Sequence, residues 1–304
     1  MIVSKYPIIY FCYNRYNYTK KTIKILKKIK CPKIYIVCDG PKDRLDKNKV
    51  DKVRNLINKD KFMSKVTKIF RNNNLGCKYS VFKGLNFFFK KEQAGIILED
   101  DIIYDQGFID FCDYGLDRYK NNKKVSMISG TNYLSFTKKS NQYFYSTHFI
   151  IWGWATWRDN WKKYDVKMKS WKNTKVKEKL RKRYSKDVYN FLNYRFNQLI
   201  NNYKDTWDIQ WYFTCVENNW LSIIPRANLV SNIGIKGTHS KKYYDTLLLR
   251  IGKIKKSKII KPKILKPDYT YDSNIHKFYN FKKNFYQKII LKLYFLFIKY
   301  ISKI

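Results

Sequence analysis

Apolar runs and amphipathic stretches alternate along the first 130 residues. Ile8-Ile9-Tyr10-Phe11-Cys12, bounded by Pro7 and followed by the polar turn Tyr13-Asn14-Arg15, predicts a buried strand. From Thr19 onward, Thr22, Ile23, Leu26 and Ile29 recur at helical spacing with lysines on the opposite face. Pro32 separates that helix from a second strand, Ile34-Tyr35-Ile36-Val37-Cys38, which ends at Asp39-Gly40-Pro41. Strand, helix, strand is the unit of a mainly parallel sheet. It recurs as a helix over 49–57, a strand over 66–70, a helix over 79–90 following Gly76, and a strand over 95–98. The last of these lacks alternation, as expected of a central strand covered on both faces. Phe108, Phe111, Gly115 and Tyr119 mark a further helix, and Val125-Ser126-Met127-Ile128-Ser129 a further strand.

Beyond residue 140 the pattern is less regular. Residues 144–161 are dense in aromatics, with Gly153 between Trp152 and Trp154. Lysine dominates residues 162–179, which predicts a mobile segment. Leu180, Tyr184, Val188, Phe191, Leu192, Phe196 and Leu199 then fit one face of a single longer helix, and 232–235 reads as a short strand. Without a repeat or a flexible linker, the simplest division is one large α/β domain at 1–245 and a basic extension at 246–304. In the extension, Phe285, Tyr286, Ile289, Ile290, Leu293, Tyr294, Phe297, Ile298 and Ile301 form a helical stripe flanked by lysines. Such an amphipathic helix suits the interface of an anionic membrane surface; packing on the main domain or on a partner subunit would satisfy the same stripe. No apolar run reaches transmembrane length. The N-terminus lacks the pattern of a cleaved signal peptide. The expectation is a cytoplasmic protein, peripheral on a membrane.

Hydrophobic residues at 44% of the 304-residue chain are enough for a sizeable core and exclude a disordered polymer. The net charge of +41, from 64 Lys plus Arg against 23 Asp plus Glu, draws polyanions: nucleic acid, anionic lipid or nucleotide diphosphates. The excess is spread over nearly the whole chain and accompanies abundant Asn, Ile, Tyr and Phe, so part of it reflects A- and T-rich codons rather than a ligand. No nucleic-acid recognition module is visible, which argues against specific nucleic-acid binding. The six cysteines form no CxxC pair and have no close histidine, which argues against zinc. Buried free thiols in a reducing compartment are expected.

Glu99-Asp100-Asp101 follows the central strand, where ligands of open α/β sheets gather. Three adjacent acids are costly to bury, because they repel and must be desolvated. A divalent cation such as Mn2+ or Mg2+ removes both penalties through oxygen ligands and could hold a diphosphate. A solvated loop with Glu99 paired to a lysine explains the same residues without a ligand.

Several segments carry a family resemblance. Ile97-Leu98-Glu99-Asp100-Asp101-Ile102, followed by Asp105-Gln106-Gly107-Phe108-Ile109-Asp110-Phe111, resembles the strand, metal motif and helix of GT-A nucleotide-diphospho-sugar transferases. The likeness is greatest to the inverting N-acetylglucosaminyltransferase I group and related bacterial-type sugar transferases. Phe11-Cys12-Tyr13-Asn14-Arg15 resembles their first strand and Val37-Cys38-Asp39-Gly40 their second. Trp152-Gly153-Trp154-Ala155-Thr156-Trp157 resembles the segment lining their donor sugar site, and Thr206-Trp207-Asp208 falls where they present the catalytic carboxylate. The likeness runs from about Pro7 to His239, its motifs individually weak and collectively ordered. It implies a GT-A-like fold and a metal-dependent transfer of a hexosyl or N-acetylhexosaminyl group from a nucleotide sugar to a glycan, lipid-linked or protein hydroxyl. It also implies Asp101 as metal ligand, Glu99 and Asp100 orienting the donor, and Arg15 and Asp39 contacting the nucleotide. Arg71 in Arg71-Asn72-Asn73-Asn74-Leu75-Gly76 would sit in the loop closing over the nucleotide, Gly153 and Trp154 at the sugar, and His239 as a late metal or phosphate contact. Ile209 departs from the pattern, standing where the mammalian-type enzymes carry a second acid.

Each residue also has a plainer reading. Asp208 can cap the helix that follows it. Asp39-Gly40-Pro41 and the 71–76 loop are turn signatures. Clustered tryptophans pack cores, whereas Gly153 allows close backbone approach to a ligand. His148 reads as structural or acceptor-facing, and His276 has no context. A retaining transferase of the same architecture, a basic nucleic-acid-binding protein and a silent sugar-binding scaffold are the rival functions.

Overall fold

A computed structural model of the chain describes residues 2–60, 62, 66–135, 140–202, 205–234 and 251–280. After β1 (Ile2–Val3), β2 (Ile8–Cys12) is buried along its length. α1 (Tyr16–Leu26) turns Thr19, Thr22, Ile23 and Leu26 inward, and β3 (Ile29–Lys30) pairs back to β1. β4 (Ile34–Cys38) leads to α2 (Arg44–Asn58). That helix starts earlier than its apolar spacing shows, because Asp43 caps it by accepting from the Asp46 amide. β5 (Thr67–Phe70), α3 (Gly76–Lys91), β6 (Ala94–Glu99), β7 (Ile102–Tyr104), α4 (Gln106–Tyr119) and β8 (Val125–Ser129) complete the first half.

The second half contains β9 (Tyr143–Ser146), β10 (Trp154–Trp157), α5 (Arg158–Trp161), α6 (Thr174–Arg183), α7 (Lys186–Asn202), α8 (Asp208–Glu217), β11 (Leu221–Pro225), β12 (Val230–Asn232) and α9 (Tyr269–Asn280). The main sheet has the order β5-β4-β2-β6-β10-β8-β11-β9. β5, β4, β2 and β6 are mutually parallel. β10 runs antiparallel to both β6 and β8, β11 is parallel to β8, and β9 is antiparallel to β11. The sheet is therefore mixed, which corrects the expectation of a mainly parallel one. An apolar run carries no direction; here β10 enters the middle of the sheet from the far edge and runs backwards.

Strand alternation divides the core. Ile8, Tyr10, Ile34 and Ile36 face α1, α2 and α4 through Ile23, Val50, Val53, Phe108 and Leu116. Ile9, Phe11, Tyr35 and Val37 face α3, α7 and α8 through Leu85, Phe88, Phe196 and Trp211. Helices thus cover both faces of an α/β sheet. The lysine-rich stretch expected to be mobile is instead packed: Tyr164, Met168 and Trp171 are buried in the second layer while most of the lysines point outward. The single long helix expected over 180–199 is broken between Arg183 and Lys186 into α6 and α7.

Residues 251–280 pack onto the same body. Ile254 joins the first core layer, and bridges link Gln142 to Ile260 and Tyr145 to Pro267. The buried Asp272 carboxylate accepts hydrogen bonds from Ser146, the Thr147 amide and the Thr147 hydroxyl. All six cysteines are free. Among the described residues no helix is long and apolar enough to cross a membrane; the stripe at 285–301 lies outside them.

Candidate active site

β2, β4 and β6 end side by side, with Cys12 opposite Cys38 and Phe11 opposite Glu99. The residues that follow these strands open into a cleft of about 370 Å3, within the size range of small-ligand pockets. Arg15, Asp39, Glu99, Asp100, Asp101 and Asp208 all line it. Six of the expected site residues are thereby brought together from four separate stretches of chain.

The triplet is held firmly. Asp100 and Asp101 are 2% and 8% exposed. The Asp101 carbonyl accepts from the Ile233 amide, and β7 beyond the triplet pairs with β12. Arg15, the residue before α1, spreads its guanidinium across both acids: Nε and Nη2 donate to the two Asp100 oxygens, and Nη1 donates to Asp101 Oδ2 at 3.0 Å. One guanidinium does not balance three carboxylates. Burial, reinforced by the Asp101 charge, pushes Glu99 up to about 8, and burial lifts Asp100 to about 7 despite the opposing pull of Arg15.

Asp101 Oδ1 is buried and has no hydrogen-bond partner. A Cβ at Gly234 would lie 2.3 Å from Asp101 Oδ2, so the glycine leaves the space that this carboxylate occupies. The oxygen chemistry of these carboxylates fits a hard divalent cation, which Asp101 would hold with Glu99 nearby. Among the described residues no three His, Cys, Asp or Glu side chains form a cation cage. Mg2+-type sites commonly use one or two carboxylates and complete their shell with water and substrate phosphate, so the absence of a cage is compatible with that use. His239 lies outside the described residues.

Asp39 is buried and accepts from the Gly40 and Leu75 amides. It thus fastens the 71–76 loop to the end of β4, and Gly40 is required there because a Cβ would strike the Asn73 backbone at 2.3 Å. Asn74 and Gly76 of this loop reach the cleft, but Arg71 is not among its lining residues. Its carbonyl accepts from Arg54, and its charge lies beside Asp39.

Asp208 opens α8, yet the cap position belongs to Trp207 and no side chain caps the helix. The Asp208 carboxylate accepts from the Thr206 hydroxyl and lines the cleft, at a helix N-terminus that favours negative charge. Trp207 is stacked on Trp154 with centroids 5.6 Å apart, and its carbonyl accepts from Tyr164 Oη. Asp205, which the sequence reading did not single out, accepts from the Cys77 and Lys78 amides at 2.8 Å each. It ties the Asp208 loop to the N-terminus of α3. No spacing rule links positions 205 and 77, so this contact had no sequence signal.

Gly153 and Trp154 are placed differently from expectation. Gly153 has φ +64, and a Cβ there would crowd Val230 and Phe108; it serves a left-handed turn into β10. Trp154 is fully buried inside the sheet layer. Trp152 lines the cleft instead, edge-on to Tyr133. His148 is buried beside Tyr212 Oη, and burial holds it neutral with its pKa pushed down to about 3.

No known protein-family profile matches the chain, and no curated protein matches it in sequence. Solved structures give distant likenesses. A mannosyltransferase from Pyrobaculum calidifontis in complex with GDP-Man and Mn2+ is 12% identical, with a TM-score of 0.35, over 54% of this chain and 47% of that one. The chain therefore spans about half that protein's length. A UDP-glucose pyrophosphorylase complexed with UDP-glucose is 8% identical, with a TM-score of 0.29, over 54% of this chain and 79% of that one. An apo UDP-glucose pyrophosphorylase is 8% identical, with a TM-score of 0.33, over 74% and 90%.

Proposed function

We propose that this chain is a glycosyltransferase that moves a sugar from a nucleotide diphosphate donor to a hydroxyl acceptor with inversion. One observation carries the reading. In a chain of net charge +41 with 23 acids, six of those acids (Asp39, Glu99, Asp100, Asp101, Asp205 and Asp208) surround one cleft at the ends of parallel strands. Such a concentration, against the charge of the whole molecule, calls for a cation and for proton-accepting chemistry.

In this reading Asp101 holds Mn2+ or Mg2+, which when bound offsets charge on the departing diphosphate. Arg15, at the cleft lining, receives the diphosphate oxygens. Asp39 positions the nucleoside end by fixing the 71–76 loop, and Trp152 supplies an apolar face to the sugar. Asp208 takes the proton from the acceptor hydroxyl as its oxygen attacks; the Thr206 hydroxyl orients the carboxylate.

The test is a nucleotide-sugar screen with added Mn2+ or Mg2+, read by the nucleoside diphosphate released. Asp101→Asn is expected to abolish metal-stimulated turnover. Asp208→Asn should lower turnover by about 10^2 to 10^4 while leaving nucleoside diphosphate binding intact. Nucleoside diphosphate binding indifferent both to metal and to Asp101→Asn would sink the metal assignment. Product NMR showing the donor's own anomeric configuration would move the chemistry to the retaining class.

A further inference from the structure

The triplet already has a cation, and that cation belongs to the protein. Arg15 takes both oxygens of Asp100 and one of Asp101, leaving Asp101 Oδ1 as the unpartnered oxygen. A divalent ion arriving alone would have to sit against this guanidinium or expel it. The first option places like charges within a few ångströms, and the second strips Arg15 of charge-assisted hydrogen bonds to two carboxylates with nothing in return. A diphosphate changes that balance, because its oxygens match the guanidinium fork as well as a carboxylate does.

Arg15 also has somewhere to go. Its side chain is about a quarter exposed, and besides the cleft it borders an open groove of about 900 Å3 between α1 and α2, lined also by Tyr16, Tyr18 and Lys52. The Tyr18 ring already lies 5.2 Å from the guanidinium carbon. We infer that Arg15 is an exchangeable internal counter-ion: it neutralises Asp100 and Asp101 in the free protein and leaves them for a diphosphate, so that metal and diphosphate load together rather than in succession. This rests on the donor-site reading above. By linkage, diphosphate must then tighten metal binding by the same factor by which metal tightens diphosphate binding.

The experiment is a Mn2+ titration of the full chain by electron paramagnetic resonance, with and without inorganic pyrophosphate, corrected for Mn2+ held by pyrophosphate alone. Wild type should bind Mn2+ weakly by itself and about tenfold or more tightly with pyrophosphate, the equivalent of one charge-assisted hydrogen bond. Arg15→Gln should bind Mn2+ alone about tenfold more tightly than wild type and lose most of the pyrophosphate enhancement. Circular dichroism checks the fold; if Arg15→Gln does not fold, Arg15→Lys, which keeps the charge but not the fork, should show an intermediate enhancement. Equal or weaker Mn2+ binding in the folded variant, with the enhancement unchanged, would overturn the exchange while leaving the donor reading standing. Undiminished Mn2+ binding in Asp101→Asn would instead overturn the donor reading, and this inference with it.

Discussion

Two tryptophans separated by one glycine show how far a residue's surroundings outweigh its identity. Trp154 enters β10 between β6 and β8 and is fully buried, stacked on Trp207, whereas Trp152 stays at the cleft lining beside Tyr133. Truncating the first leaves a cavity in a close-packed layer, so Trp154→Ala should cost about 3–5 kcal/mol in chemical denaturation. Trp152→Ala should cost less than about 1.5 kcal/mol, because its site is already open to solvent on one side. Its effect should appear instead in the KM for donor or acceptor. The opposite ranking in stability would show that the strand register has been misassigned. In the sequence these residues are chemically equivalent, and both fall in the segment that resembles a sugar site. Only the pairing of Trp154 with Ile97 and Ser129 separates them.

At the scale of elements, legibility followed the local signal. β2, β4 and β6 announce themselves as apolar runs closed by turn residues, and their common direction brings Arg15, Asp39 and the triplet to one edge without further information. The antiparallel half had no such signal, because the partners of β10 lie 57–63 residues away in β6 and 25–27 residues away in β8 along the chain. The packed 162–179 region was misread because its lysines outnumber the few buried side chains that anchor it. The Asp205 contact lies in the same blind spot, joining α3 to the loop before α8 across more than 120 residues. Asp205→Ala removes an acceptor from two helix-terminal amides and should destabilise the protein by about 1–2 kcal/mol. Because it tethers the loop carrying Asp208, turnover should fall further than stability alone explains, and Asp205→Asn, which retains an acceptor oxygen, should recover most of it. Equal losses in both variants would assign Asp205 to charge rather than to tethering.

For the whole molecule, the net charge of +41 sets two electrostatic effects against each other. Surface ion pairs such as Lys5–Asp117, Lys47–Asp51 and Arg226–Asp268 are attractive and are weakened by salt. Each exposed pair contributes about 0–1 kcal/mol, and a few of them cannot offset repulsion among several tens of excess positive charges. Raising sodium chloride from about 10 mM to 150 mM shortens the Debye length from roughly 30 Å to 8 Å, which silences the long-range repulsion while screening the partly buried Arg15 bonds to Asp100 and Asp101 much less. Thermal unfolding should therefore shift upward by several degrees over that range. A midpoint that falls with added salt would mean that the attractive pairs dominate and that the positive charge is held in a more organised arrangement than a diffuse excess. The acidic cleft sharpens the point. Its charge is local and opposite to the surrounding field, so the proposed anionic donor would be attracted at long range by the molecule and repelled at short range by the acids. That conflict would be resolved only if a cation, Arg15 or a metal, stood between the carboxylates and the donor's diphosphate.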